Sequence, residues 1–300
     1  MNLSVNIAGV EFKNPVTTAS GTFGSGKEFE DYIDLSRLGG VIVKGVANKE
    51  WLGNPAPRIA ETYGGMLNAV GLQNPGVETF IREDIPFLRK YNTNIIVNVV
   101  GRTISDYCEV AERLQTEDVD MLELNISCPN VKEGGVAFGI NPQMAEEITR
   151  QVKKVAKQPL IVKLSPNVTD ITEIARAVEA GGADAISLIN TLIGMRIDIN
   201  KRKPIIANKY AGLSGPAIKP VALRMVHQVS KAVKLPLIGL GGIMTGEDAI
   251  EFIMAGATGI SVGTANLLNP KATIDILEGI EMFMKEKKIS DIKEIIGIIE

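Results

Sequence analysis

The chain has 300 residues, 45% of them hydrophobic and 22% charged, which indicates a globular protein with one large α/β domain or two ordinary ones. Its 32 basic and 35 acidic side chains give a net charge of −3, so the composition offers no large cationic field for nucleic acid. Two cysteines, Cys108 and Cys128, match no zinc or iron–sulfur spacing and predict no metal site.

The chain shows no sequence signal for export or membrane insertion. Residues 1–6 lack the basic start and apolar core of a signal peptide, and scarce cysteine fits a reducing cytoplasm. The longest uncharged run, 252–270, contains three glycines, two asparagines and a terminal proline, which favour a turn and a buried strand over a spanning helix. We therefore expect a cytoplasmic protein without a membrane segment.

Short apolar runs recur along the whole chain. They are continuously apolar rather than alternating, which is typical of parallel strands covered on both faces. The predicted strands are residues 16–18, 41–43, 95–99, 121–124, 160–164, 185–188, 237–240 and 259–262.

Helical patterns lie between these strands, at residues 142–155, 171–180, 220–233 and 246–254. Eight strand–helix alternations predict an α/β fold of the (β/α)8 TIM-barrel class, with residues 1–300 forming a single domain. A doubly wound open sheet is the alternative, but the glycines at 21–26 have the wrong spacing for its phosphate turn.

Two further segments depart from the strand–helix pattern. Residues 3–12, with a turn at Gly9, predict a short N-terminal β-hairpin that closes one end of the barrel. The connection at 48–76 is too long and too rich in Gly, Pro and Asn for an ordinary loop, so we expect inserted active-site loops there. Trp51 and Tyr63 within it are predicted to pack rather than to stack on a ligand.

The carboxyl ends of barrel strands are where a TIM barrel carries its active site. Polar or glycine residues stand at the end of all eight predicted strands or directly after it. In chain order they are Ser20-Gly21, Lys44-Gly45, Asn98, Asn125 with Cys128, Lys163, Asn190-Thr191, Gly241-Gly242 and Gly263-Thr264.

The residue pairs after the last two strands, Gly241-Gly242 and Gly263-Thr264, indicate a phosphate site. Each precedes a predicted helix start, where backbone N–H groups and the helix dipole attract an anion. Glycine lets the backbone approach a ligand closely, although glycine also ends many strands simply as a turn residue.

Lys44 and Lys163 are interpreted as lysines of buried strands, placed to stabilise an anionic cofactor ring or a carboxylate. The alternative is that each reaches solvent through its aliphatic stem. Cys128 stands between a predicted strand and a glycine-rich loop. Two interpretations are open: a reactive thiol, or a small apolar residue that packs. His227 is interpreted as structural, and the sequence shows no His–Ser or His–Cys dyad.

Together these pieces resemble the dihydroorotate dehydrogenase family of FMN-containing barrels, over about residues 5–285. The motifs that carry the resemblance are residues 18–21, 44–45, 68–76, 123–130, 162–164 and 239–243. The resemblance implies that Cys128 is the general base that removes a C5 proton while C6 passes hydride to the flavin.

The same resemblance implies two binding sets. The residues that would hold FMN are Ser20, Lys44, Gly45, Asn98, Asn125, Lys163, Ile189, Gly215, Gly241, Gly242, Gly263 and Thr264. The residues that would hold dihydroorotate or orotate are Lys44, Asn68, Ala69, Val70, Gly71, Leu72, Asn125, Asn190 and Thr191.

The family has branches that differ in electron acceptor. Cysteine as the base and only fourteen residues before Pro15 disfavour the membrane-associated quinone branch, whose base is serine. Residues 66–76 and 212–220 are similar to the NAD-linked branch, which implies a homodimer core and a partner subunit carrying FAD and a [2Fe-2S] cluster in a heterotetramer.

Three alternatives remain open. The first is the fumarate-linked homodimer of the same family. A dihydrouridine synthase is a second, although it needs a basic RNA-binding surface that the net charge of −3 does not offer. The third is a barrel that serves only as a binding scaffold.

Overall fold

The computed structural model describes residues 1–127 and 136–300. In chain order the strands are β1 (Val5–Ile7), β2 (Val10–Phe12), β3 (Val16–Thr18), β4 (Gly40–Ile42), β5 (Ile59–Thr62), β6 (Gly65–Asn68), β7 (Asn94–Val99), β8 (Met121–Asn125), β9 (Leu160–Lys163), β10 (Ala185–Leu188), β11 (Leu192–Met195), β12 (Ile197–Asp198), β13 (Lys203–Pro204), β14 (Tyr210–Ser214), β15 (Leu237–Leu240) and β16 (Gly259–Val262).

The predicted barrel is confirmed. Strands β3, β4, β7, β8, β9, β10, β15 and β16 form a closed ring in which every neighbouring pair is parallel. Closure occurs where β16 pairs with β3, Ile260 opposite Val16, so the open-sheet alternative is wrong. All eight predicted strands agree with the observed ones to within one residue at each end.

Helices surround the barrel. They are α1 (Val77–Thr79), α2 (Ile85–Leu88), α3 (Ile104–Leu114), α4 (Val136–Gly139), α5 (Pro142–Val155), α6 (Ile171–Ala180), α7 (Lys219–Ala232), α8 (Gly246–Met254), α9 (Ala265–Leu268) and α10 (Ala272–Lys287), with 3-10 or π turns at Leu35–Arg37, Phe80–Asp84, Pro216–Ile218 and Ile292–Ile295. Nowhere in the described part of the chain is a helix long and apolar enough to cross a membrane.

In three of the four predicted helices the apolar periodicity agrees with a side-chain N-cap, whereas α7 begins without one. In α5, Ile148 and Val152 are buried on one face, and the Asn141 side chain accepts a hydrogen bond from the Met144 backbone N–H. In α6, Asp170 caps the first turn in the same way.

The N-terminal hairpin is also confirmed. β1 and β2 pair antiparallel through a two-residue turn in which Ala8 and Gly9 both have positive φ, 53° and 87°, as a type I′ turn requires. Ile7 and Phe12 are fully buried. Ile7 lies against Gly259 at the start of β16, so the hairpin closes the amino-terminal end of the barrel.

A four-stranded antiparallel sheet, in the order β11-β14-β6-β5, was not anticipated as a unit. It combines the long connection at 48–76 with a second excursion after β10, so the expected inserted loops are partly strands. Trp51 is buried, as predicted, and lies under the Arg102 guanidinium at 5.0 Å. Tyr63 at the β5–β6 turn is fully exposed, so its predicted packing is wrong.

Candidate active site

One large cavity opens at the carboxyl ends of the barrel strands, beneath the four-stranded sheet. It brings together most of the residues singled out from the sequence. Those that line it are Ser20, Lys44, Asn68, Val70, Gly71, Leu72, Asn125, Lys163, Ile189, Asn190, Thr191, Gly215, Gly241, Gly242, Gly263 and Thr264.

Three of the expected residues do not line this cavity. Asn98 is fully buried behind Asn125, and Gly45 packs against Val100. Ala69 is buried in the small core of the four-stranded sheet. Cys128, the expected base, lies outside the described residues.

The glycine loop after β15 approaches the cavity with bare backbone. Gly241 and Gly242 have φ of +123° and +82°, which favours glycine. A Cβ on Gly242 would lie 2.8 Å from the Lys219 backbone nitrogen. The loop is therefore pressed against the start of α7, and a side chain at Gly242 requires that contact to move.

An ion-pair cluster joins α7 to α8 beside this loop. The Lys219 ammonium donates hydrogen bonds to Asp248 (2.6 Å) and Glu251 (2.9 Å). Asp248 also belongs to the capping box of α8, accepting hydrogen bonds from the Thr245 and Met244 backbone N–H groups. Burial disfavours the charged Asp248, but these bonds outweigh it and hold the pKa of the carboxyl below its usual value.

The loop after β14 is linked to the loop after β16. The Thr264 hydroxyl donates a hydrogen bond to the Ser214 hydroxyl at 2.8 Å. Gly215 has a φ of +105°, and a Cβ there would lie 2.6 Å from the Gly65 Cα. Because Gly65 begins β6, the overlying sheet is held close to the glycine loops of the barrel.

The two lysines differ in setting. Lys163, at the end of β9, has a side chain that is 4% exposed, and its ammonium lies 3.7 Å from the fully buried Glu123 carboxylate. Lys44 lies beyond the end of β4 and is half-buried, so its assignment to a buried strand is wrong. Its ammonium lies beside Gly21, 3.6 Å from where a Cβ would stand.

The asparagines are held by hydrogen bonds rather than left to rotate. Asn190 donates to the Ser127 hydroxyl (2.7 Å) and accepts from the Thr191 backbone N–H (2.8 Å). Ser127 in turn donates to Asn125 at 3.0 Å. Asn68 contacts the Gly212 carbonyl at 3.4 Å, across the β6–β14 pair. Fixed amides of this kind favour a ligand with alternating donors and acceptors.

Several residues of the site were not identified from the sequence. Ser214 and Met66 line the cavity from the four-stranded sheet, and Leu267 lines it from α9. Glu123 does not line the cavity but pairs with Lys163. A carboxylate inside an otherwise apolar strand was the available signal for Glu123, since a buried charge needs a partner.

The family of the chain follows from comparison with known proteins. A profile of the dihydroorotate dehydrogenase family matches residues 2–284. A protein of Alkaliphilus metalliredigens (strain QYMF), named "Dihydroorotate dehydrogenase B (NAD(+)), catalytic subunit", is 71% identical over 297 residues, covering 99% of this chain and 98% of the relative.

Two other relatives carry the same name. The protein of Alkaliphilus oremlandii (strain OhILAs) is 69% identical and covers 99% of this chain and 98% of its own length. That of Lachnoclostridium phytofermentans (strain ATCC 700394 / DSM 18823 / ISDg) is 64% identical over the full length of both chains. With the barrel and its cavity, these matches place the chain in the dihydroorotate dehydrogenase family.

Proposed function

We propose that the chain is the catalytic subunit of an NAD-linked dihydroorotate dehydrogenase, which oxidises dihydroorotate to orotate for pyrimidine synthesis in the cytoplasm. The observation that carries the proposal is the convergence in one cavity of paired glycines, a buried lysine and fixed asparagines. Relatives at 64–71% identity bear the corresponding name.

The residues of the cavity fit FMN. Gly241, Gly242 and Gly263 line the cavity with bare backbone, which a phosphate can approach closely. The Lys163 ammonium lies deeper, at the end of β9, where its charge favours an anionic flavin ring. When bound, FMN supplies the acceptor for the hydride that leaves C6 of the substrate.

The asparagines fit the pyrimidine ring of the substrate, whose edge alternates N–H donors and C=O acceptors. Asn68, Asn125 and Asn190 line the cavity, and each amide carries both kinds of group. Lys44 supplies a cation for the substrate carboxylate. These residues would bind and orient the ring so that C6 faces the flavin.

We assign to Cys128 the role of accepting the proton that leaves C5. Its thiolate would accept that proton while the C–H bond at C6 breaks with its electron pair, which leaves a C5–C6 double bond in orotate. A free thiol has a pKa of about 8.5, so only a small fraction is thiolate near neutrality.

A partner subunit is proposed to carry FAD and a [2Fe-2S] cluster and to pass the electrons to NAD, in a heterotetramer built on a homodimer of this chain. The relatives' name, a catalytic subunit, supports a second subunit. Leu267 and Leu268, beside the cavity mouth, are 53% and 71% exposed. Exposed apolar side chains at this place suit a covering protein.

The test of the proposed function is flavin bleaching. The purified chain should be yellow, and dihydroorotate should bleach it without oxygen. A yellow protein that dihydroorotate leaves unchanged would contradict the function. Assays with NAD and with fumarate, on chain co-purified with any flavin/iron–sulfur subunit, then identify the acceptor; turnover with fumarate alone would overturn the NAD assignment.

Replacing Cys128 with alanine tests the base. We expect flavin reduction by dihydroorotate to slow by about 10²–10⁴-fold, the usual contribution of a positioned general base. Stopped-flow absorbance at several pH values measures it, and the wild-type rate should rise with pH through the thiol pKa. Cys108→Ala is the matched control, because that thiol lies on α3 and does not line the cavity.

A further inference from the structure

A buried carboxylate that the proposed mechanism does not use lies directly beneath the site. Glu123, on β8, is 0% exposed. Ser187 donates a hydrogen bond to one of its oxygens at 2.6 Å, and Asn98 donates to the other at 2.5 Å. The Lys163 ammonium lies 3.7 Å from that second oxygen. An ionised carboxylate can only accept hydrogen bonds, so all three neighbours direct donors toward it.

The amide of Asn98 is oriented by this contact. Because its nitrogen donates to Glu123, its oxygen faces Asn125 and accepts a hydrogen bond from the Asn125 amide at 3.2 Å. The Asn125 oxygen is then left to accept from Ser127 at 3.0 Å, and Ser127 accepts from Asn190 at 2.7 Å. Every hydrogen bond in this series therefore has its donor on the side of Asn190 and its acceptor on the side of Glu123.

From this geometry we infer that Glu123 is a positioning residue. It offsets the charge of Lys163, and it sets the direction of the hydrogen bonds that run from Asn190 to Asn98. Through the lysine it lowers the reduction potential of the bound flavin. Through the amides it determines which atoms of Asn125 and Asn190 face the substrate. The inference rests on the proposed FMN and orotate binding.

Glutamine is the informative replacement at this position. Glu123→Gln keeps the shape of the side chain but removes the negative charge and adds a donor. Reduced flavin is the more negative form, so loss of a nearby negative charge favours it. The potential of bound FMN should therefore rise, and orotate should bind more weakly because the amide chain can reverse its direction.

The experiment is a redox titration of FMN-loaded protein against a reference dye, with no dihydroorotate present. We expect reduced FMN to be favoured by about ten-fold, which is roughly 30 mV for a two-electron couple. Calorimetry should show a several-fold loss of orotate affinity. Glu123→Asp retains the charge and should restore most of the wild-type potential.

The matched control is Asp120→Asn, which removes a carboxylate directly before the start of β8. Asp120 accepts a hydrogen bond from the Ile95 backbone N–H and pairs with Arg89. The flavin potential of this variant should equal that of wild type. An unchanged or lowered potential in Glu123→Gln with FMN retained would overturn the inference. Dihydroorotate that fails to bleach wild-type protein contradicts the proposed function instead, because the titration does not use it.

Breaking a buried ion pair by removing one partner is often strongly destabilising, so a second variant is needed. Glu123→Gln combined with Lys163→Met removes both charges. Its flavin potential should lie above that of Lys163→Met alone, because the carboxylate field is then absent. Equal potentials in these two variants would also overturn the inference.

Discussion

At the scale of single residues, Lys163 combines burial with charge. Its ammonium lies in the barrel interior, 3.7 Å from the Glu123 carboxylate. We expect Lys163→Met to lower the potential of bound FMN, because the anionic reduced ring loses its cation, and to destabilise the fold by about 3–5 kcal/mol. Lys153→Met is the control, since that lysine pairs with Asp184 on the outside of the barrel. Redox titration and urea unfolding measure the two effects; an unchanged potential with full FMN occupancy would reject the role.

Gly242 combines a left-handed backbone conformation with a close contact to Lys219. Gly242→Ala places a Cβ 2.8 Å from the Lys219 nitrogen at a φ of +82°. Gly9→Ala has a similar φ of +87° but nothing within 4 Å. The left-handed backbone alone costs about 1–3 kcal/mol, so both variants should lose stability. Gly242→Ala should lose more and should also release FMN on gel filtration; equal FMN retention in both would contradict the phosphate assignment.

At the scale of elements, the start of α8 depends on Asp248. Its folded pKa is depressed, so its stabilising effect is fully present above the ordinary aspartate pKa of about 3.9 and is lost as pH falls through the folded value. Asp248→Asn should therefore cost about 1–2 kcal/mol at pH 7, and that difference should shrink in acid. Urea unfolding at pH 7 and below pH 4 measures it.

Asp106 provides the comparison for Asp248. It forms the same capping box at the start of α3, with Thr103. Among the described contacts, however, no lysine pairs with Asp106 as Lys219 pairs with Asp248. Asp106→Asn should cost less at pH 7 than Asp248→Asn. If the two costs are equal, the lysine contributes nothing to anchoring α8 beside the glycine loop.

The elements also show how far the sequence predicts this fold. The barrel strands were predicted because they are continuously apolar, a local property. The four-stranded sheet was not, because its two halves meet only in the long-range pairing of β6 with β14, where Asn68 faces Gly212. The strands of this sheet are short, and three of the four contain glycine, so their sequences carry no clear alternation. In the same way, local sequence motifs were enough to place Lys163 near the site. The pairing of Lys163 with Glu123 was not predicted, because it depends on two strands lying side by side in the barrel.

At the scale of the whole molecule, the closing hairpin and the chemistry are separated along the barrel axis. The N-terminal hairpin seals one end with Phe12, which is fully buried, while the cavity opens at the other. Phe12→Ala should lower the free energy of unfolding by about 3–5 kcal/mol, because it leaves a cavity in the core.

The same variant should leave the chemistry intact. Well below its melting temperature, Phe12→Ala should retain FMN and reduce it with dihydroorotate at the wild-type rate. Ser127→Ala, at the cavity end, should show the opposite balance: it removes the hydroxyl that accepts from Asn190 and should weaken orotate binding several-fold, at a cost in stability of about 1–3 kcal/mol that stays below that of Phe12→Ala. Thermal unfolding and orotate calorimetry on both variants test the separation. A slowed flavin reduction in folded Phe12→Ala would show that the two ends are coupled, since no contact described at the hairpin reaches the cavity lining.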